Sequence, residues 1–165
     1  RCIALIKEIQ ITEEMRQKAD HKAFMLGELN NSIMRGNGSH SGYLGEMIVV
    51  SVLGGKASNT FDYDIVLDDG TRVDVKTKRT SSPPLPHYSC SVAKFNTRQD
   101  CDVYAFVRIK YDLSVGWYLG HINKKDFYLR ATEHKRGEHD PSNGFVFRAD
   151  CYNLPIQDLE SYNVN

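Results

Sequence analysis

The apolar spacing of the chain predicts an amphipathic helix over residues 12–30. Met15, Ala19, Ala23 and Leu26 recur at helical intervals and share one face. Thr12 is placed to cap this helix, and Glu13 and Glu14 suit the positive end of its dipole. Arg35-Gly36-Asn37-Gly38-Ser39 interrupts the pattern. A second helix is expected from Ser41 to Leu53, ended by Gly54-Gly55. It is apolar nearly all round (Tyr43, Leu44, Met47, Ile48, Val49, Val50, Val52), which suits a core rather than a surface.

The pattern then changes to a period of two. Phe61 to Leu67 alternates, Asp68-Asp69-Gly70 signals a turn, and Thr71 to Lys78 alternates again, so a hairpin is expected. With a three-residue loop, Ile65 faces Val73, Asp64 faces Asp74, and Asp62 faces Lys76. Phe61, Tyr63, Ile65, Leu67, Val73 and Val75 then form a core face, and Asp62, Asp64, Asp74, Lys76 and Lys78 the other. A two-residue Asp69-Gly70 turn instead sets Asp64 against Val75. Ser81 to Pro86 reads as a loop, because its prolines cannot join a central strand. Further strands are expected at 88–93, 103–109, 115–121 and 144–150, with short helices near 95–100 and 123–130.

Composition narrows the class. A chain of 165 residues without repeats or linkers suits one domain, taken as residues 1–165. Hydrophobic residues at 41% and charged residues at 25% are those of a globular protein. No apolar run reaches the roughly 18 residues that span a bilayer, so no membrane association is expected. Ile3-Ala4-Leu5-Ile6 is too short for a signal peptide. The four cysteines, Cys2, Cys90, Cys101 and Cys151, form no C-x-x-C pair, which disfavours zinc. They read as reduced core thiols of an intracellular, cytoplasmic protein, with a Cys90–Cys101 bridge as the alternative. Lys and Arg number 21 against 21 Asp and Glu, which excludes a broad basic field but leaves local phosphate-binding patches open.

The chemistry gathers on the polar face of the hairpin. In the first register, Asp64 and Asp74 have Cβ atoms about 5 Å apart, and like charges there repel unless something sits between them. A divalent cation is the natural partner, since carboxylate oxygens are preferred ligands of magnesium. Lys76, two residues on, is placed to stabilise a phosphate transition state or to orient or deprotonate the attacking water. Glu46 is the only charged residue between Ser41 and Gly55. A carboxylate in so apolar a helix needs an ion-pair partner or a metal. Gly42 and Gly45 leave room beside it.

A helix Glu, a strand Asp and an Asp-x-Lys on the next strand, here Gly45-Glu46, Tyr63-Asp64 and Asp74-Val75-Lys76, resemble the PD-(D/E)xK nuclease superfamily over residues 41–78. Tyr63 stands where the motif has proline. The resemblance implies the restriction-endonuclease-like fold, α/β (α+β) with a central mixed β-sheet flanked by helices. It also implies magnesium-dependent endonuclease cleavage of DNA, with manganese able to substitute and no organic cofactor. Asp64 and Asp74, with the Val75 carbonyl, would hold the metal; Lys76 would be the catalytic lysine, and Glu46 the helix acid that aids metal or water. A homodimer would let two sites cut two strands. Lys78, Arg79, Arg98 and His40 are the expected DNA contacts; their plainer readings are solubility and a surface-loop histidine. Asp62 is expected to pair with Lys76, or to be a second acid near the metal. Trp117, Tyr118 and Phe127 read as core, and His134 and His139 as part of a solvated loop. The competing functions are a silent nucleic-acid-binding module, an RNA nuclease, and a protein-interaction module with an acidic surface.

Overall fold

The computed structural model describes residues 6–30, 40–58, 60–141 and 143–160. The break at 35–39, Cys2 and the side chain of Leu26 lie outside the described residues. The architecture is mixed α+β, with two sheets and, among the described residues, three α-helices.

The first two helices form where the apolar spacing places them. Helix α1 runs Glu13–Asn30 and α2 runs His40–Leu53. Thr12 Oγ1 accepts a hydrogen bond from Met15 N–H (3.2 Å), satisfying one of the free donors at the start of α1. Gly54 and Gly55 both take positive φ (80° and 86°), and a Cβ on Gly55 would lie 2.5 Å from the Val66 carbonyl oxygen. Glycine there ends the helix and lets the chain turn close against the sheet.

The main sheet has the order β1-β7-β6-β4-β3-β2. Its strands are β1 (Lys7–Gln10), β2 (Lys56–Ala57), β3 (Ile65–Val66), β4 (Arg72–Thr80), β6 (Val103–Lys110) and β7 (Val115–Asn123). Only β4 and β6 pair in parallel. The second sheet is antiparallel, β5-β9-β8, from Ser89–Ala93, Cys151–Pro155 and Thr132–His134. Helix α3 (Lys124–Arg130) packs against β7 and β9.

Strand β6 is buried from Tyr104 to Ile109, because both faces of the main sheet are covered. On one face, Ile65, Val73, Ala105, Val107 and Ile109 pack with Leu44, Ile48 and Val49 of α2, and α1 lies against α2. On the other, Tyr104, Phe106, Trp117, Leu119 and Phe127 pack with Cys90, Val92 and Leu154 of the second sheet. Trp117, Tyr118 and Phe127 are thus core residues, as their sequence context suggests. Cys90, Cys101 and Cys151 are buried free thiols, so no Cys90–Cys101 bridge forms. No helix among the described residues is long and apolar enough to cross a membrane.

Several elements differ from expectation; β2 and β8 were not anticipated, and β8 takes in His134, expected in a solvated loop. The strand expected from Phe61 shrinks to Ile65–Val66, because residues 60–63 close a tight turn: Thr60 and Tyr63 exchange backbone and hydroxyl hydrogen bonds of 2.9–3.0 Å. Phe61 is therefore exposed instead of facing the core. The strand expected at 144–150 is replaced by β9 at Cys151–Pro155. The Phe145–Phe147 run hydrogen-bonds only across its own turn, whereas β9 has a partner on each side. Strand β1 has too short and polar a sequence, Lys-Glu-Ile-Gln, to announce itself, and exists by pairing with the edge of β7.

Candidate active site

The turn of the hairpin sets the position of the acids. Ile65 pairs with Val73 and Val66 with Arg72, the register of the three-residue loop. The ladder then becomes irregular: Asp64 N–H donates to the Val73 carbonyl (2.9 Å), not to that of Asp74. The Asp64 carboxylate takes over where pairing stops, and its Oδ2 accepts from Val75 N–H (2.8 Å). Asp64 therefore sits against the open edge of β4. The N–H and C=O of one strand residue point the same way, so the Val75 carbonyl is presented to the same edge.

Helix α2 supplies Glu46 because it lies unusually close to β4. A Cβ on Gly45 would run into the side chain of Thr77, so only glycine fits that crossing. Glu46, the next residue, is buried (8% exposed) near Asp64 and Asp74, and its charge acts on Asp64. Lys22 of α1 stands 3.7 Å from Glu46 Oε1, within ion-pair reach but too far for a hydrogen bond, and that oxygen is buried without one. The core-facing cation weighed as Glu46's alternative partner is thus present. Its signal was its position between Ala19 and Ala23, on the buried stripe of α1.

Asp74 is more buried still, at 3% exposed. Lys76 Nζ lies 2.7 Å from Asp74 Oδ2, an ion pair by distance but off the hydrogen-bonding direction, so Oδ2 is a second buried carboxylate oxygen with no hydrogen bond. The same ammonium donates to Gln99 Oε1 (2.8 Å) and lies over the Tyr104 ring. Gln99 Nε2 donates to Asp74 Oδ1 (3.2 Å) and to the Phe61 carbonyl (2.8 Å). One buried amide thus fixes both Asp74 and Lys76. Sequence reading missed Gln99: it follows the polar run Lys94–Arg98, and nothing in that run marks which residue turns inward.

Burial and mutual repulsion put these acids in unusual protonation states. Burial raises Glu46 to about 7, partly opposed by Lys22. Burial also raises Asp64 to about 8; the charges of Asp74 and Glu46 and a hydrogen bond with the Asp74 carboxyl add to this, while Val75 N–H opposes it. Crowded carboxyls of this kind are candidates for function.

No protein-family model matches the chain, and no curated protein is similar to it in sequence. The functional argument therefore rests on the site. Its donor chemistry, oxygen only, is what a hard cation selects, and Glu46 Oε1 and Asp74 Oδ2 are buried without hydrogen bonds. Among the described residues no group of three or more His, Cys, Asp or Glu stands arranged as a ligand set. Here Lys76 stands against Asp74 instead, so a cation on Asp74 requires that ammonium to swing aside.

The remaining candidates fall elsewhere. Asp62 does not reach Lys76; its Oδ1 accepts from Asp100 N–H (3.1 Å), because the 60–63 turn carries it off the strand. His40 begins α2 and faces α1, with Nε2 3.0 Å from the Arg16 carbonyl oxygen and 3.2 Å from Asp20. Arg79 is exposed and folds back on Tyr111, donating to its carbonyl (2.7 Å). Arg98 lines an open depression with Lys94, Phe95, Arg136 and Arg148. Lys78 borders a separate cavity with Arg108.

Proposed function

We propose that the chain is a metal-dependent endonuclease of the restriction-endonuclease-like type that hydrolyses DNA phosphodiester bonds. The observation that carries this reading is the crowding of Glu46, Asp64 and Asp74, with two carboxylate oxygens buried and unbonded, beside Lys76 at the open edge of β4.

Asp64, Asp74, Glu46 and the Val75 carbonyl would hold magnesium, with manganese able to replace it. When bound, the cation withdraws charge from the phosphate and acidifies water. The protein's own groups do the rest. Asp64, braced by Val75 N–H, keeps a fixed position at the strand edge. Glu46, buried beside these acids, would aid the metal or take a proton from the attacking water. Lys76 has its ammonium oriented by Gln99 and stabilises negative charge that grows on the phosphate. Lys78 and the basic depression around Arg98 are placed to hold flanking phosphates. A homodimer would supply the second site needed for a double-strand cut.

The test is incubation of the protein with supercoiled plasmid, branched DNA and RNA, in magnesium and in EDTA. Magnesium-dependent nicking of DNA that disappears in Asp74→Ala and Lys76→Ala is the expected result. Cleavage confined to RNA would make it a ribonuclease. Binding without cleavage of any substrate would make it a silent nucleic-acid-binding module.

A further inference from the structure

A cavity of about 510 Å³ opens between the two sheets, away from the acids. Arg108 of β6 is buried on its wall (7% exposed), with its guanidinium donating to the Ser89 carbonyl (3.1 Å) and lying over the Tyr88 ring. Lys78 of β4 is its direct neighbour in the parallel pair. Among the described residues neither cation forms an ion pair. Asp140 is the one carboxylate among the lining residues. The Cys90 thiol, whose charge would act on both cations, is pushed up to about 12 by burial and is neutral. Two adjacent cations, one buried and neither ion-paired among the described residues, are costly unless an anion joins them. Burial holds both below their usual range, and Arg108 adds to the effect on Lys78.

We propose that this cavity is a nucleotide subsite that takes one unpaired nucleotide of a DNA strand, its phosphate on Arg108 and Lys78 and its base against Phe145. The volume falls in the range of small-molecule sites. Phe145 lines the cavity, 52% exposed and braced edge-to-face by Phe147. A half-exposed aromatic beside paired cations is the arrangement that stacks single-stranded bases. Asn153, buried on the far wall with its amide oxygen held by Ser91 Oγ (2.5 Å), adds a polar group that an apolar ligand would not use. Asp74, Lys76 and Lys78 alternate onto one face of β4, and Lys78 lies about 13 Å from Asp74 along the strand. That separation keeps the nucleotide taken here off the acids, so it flanks the cut and is not the one cut. The identity of the strand rests on the nuclease reading; the anion site itself does not.

The test measures binding in EDTA, where no cleavage occurs. The probes are inorganic phosphate, thymidine monophosphate, a short single-stranded oligonucleotide and a blunt duplex. The proteins are wild type, Lys78→Ala, Phe145→Ala and Arg108→Met. Lys78 and Phe145 are exposed, so those two variants fold whether or not Arg108→Met does. Single strand bound more tightly than blunt duplex, with about tenfold weakening in Lys78→Ala and in Phe145→Ala, is expected. Monophosphate binding lost only in Lys78→Ala would reduce the site to a phosphate site and overturn the stacking role. Binding of all probes unchanged in Lys78→Ala and Phe145→Ala overturns the proposal. Failure of the nuclease reading appears separately, as intact binding of single strand with no nicking in magnesium.

Discussion

Glu46 and Asp64 each hold a proton more tightly than a free carboxyl, and the sign of that effect fixes how stability responds to pH. Their folded values, about 7 and about 8, lie above unfolded values of about 4. The folded state therefore binds more protons, and stability falls as pH rises. Their contribution is full below about pH 4, declines through the interval up to about 8, and is flat above it. In EDTA, the unfolding free energy from urea titration should drop between pH 5 and pH 8 by an amount on the order of a few kcal/mol. Asp64→Asn keeps an oxygen for Val75 N–H but removes the charge, so it should flatten that slope; an equal slope in the variant would refute the assignment. Gln99 makes a different prediction. Gln99→Leu keeps volume and removes the bonds to Asp74 and Lys76, so kcat for plasmid nicking should fall about 10- to 100-fold with KM little changed. An unchanged kcat would mean that Lys76 needs no such support.

At the scale of elements, the crossing of α2 over β4 decides whether the acids meet. Gly45→Ala drives a methyl group into Thr77, and overpacking of this kind costs about 1–3 kcal/mol. Thermal unfolding should show that loss in Gly45→Ala, and Thr77→Ala in the same chain should restore part of it. No loss in Gly45→Ala would mean that the helix does not lie where it is drawn. The same crossing shows what the sequence made legible. The all-round apolar pattern of α2 with a lone Glu46, and the alternation around Asp68-Asp69-Gly70, placed the helix and the turn in advance and gave the Ile65–Val73 register as one of two. They failed at Phe61–Asp64, where the Thr60 hydroxyl closes a turn that outcompetes strand pairing. Alternation records side-chain character, not whether the backbone has a partner. Strand β9 was missed for the converse reason: Cys151–Pro155 is a strand because β5 and β8 flank it, and no local pattern announces that.

Across the whole molecule, the main sheet is buried on both faces, and the candidate acids gather where one strand outruns its neighbour. β4 continues beyond the two residues of β3, and its open edge receives Asp64, Glu46 and Lys76. Gln99 and Lys22 reach the same place from distant segments; Lys22 carried a signal in its helical spacing with Ala19 and Ala23, whereas the role of Gln99 depends on packing between elements and was not legible. A net charge of zero leaves the positive groups local, at Lys78–Arg108 and around Arg98, and on the proposed reading the acids at β4 offset them.

The central claim is that the crowded carboxylates form a cation site, and calorimetric titration with magnesium tests it most directly. At pH 7, in two buffers of different ionisation enthalpy, wild type should bind saturably and release protons, because Glu46 and Asp64 are substantially protonated beforehand. Asp74→Asn should abolish the binding, and Asp64→Asn should weaken it and cut the proton release. No saturable binding in the folded wild-type protein, or binding unaffected by both substitutions, would contradict the account and leave the cluster a structural feature of the β4 edge.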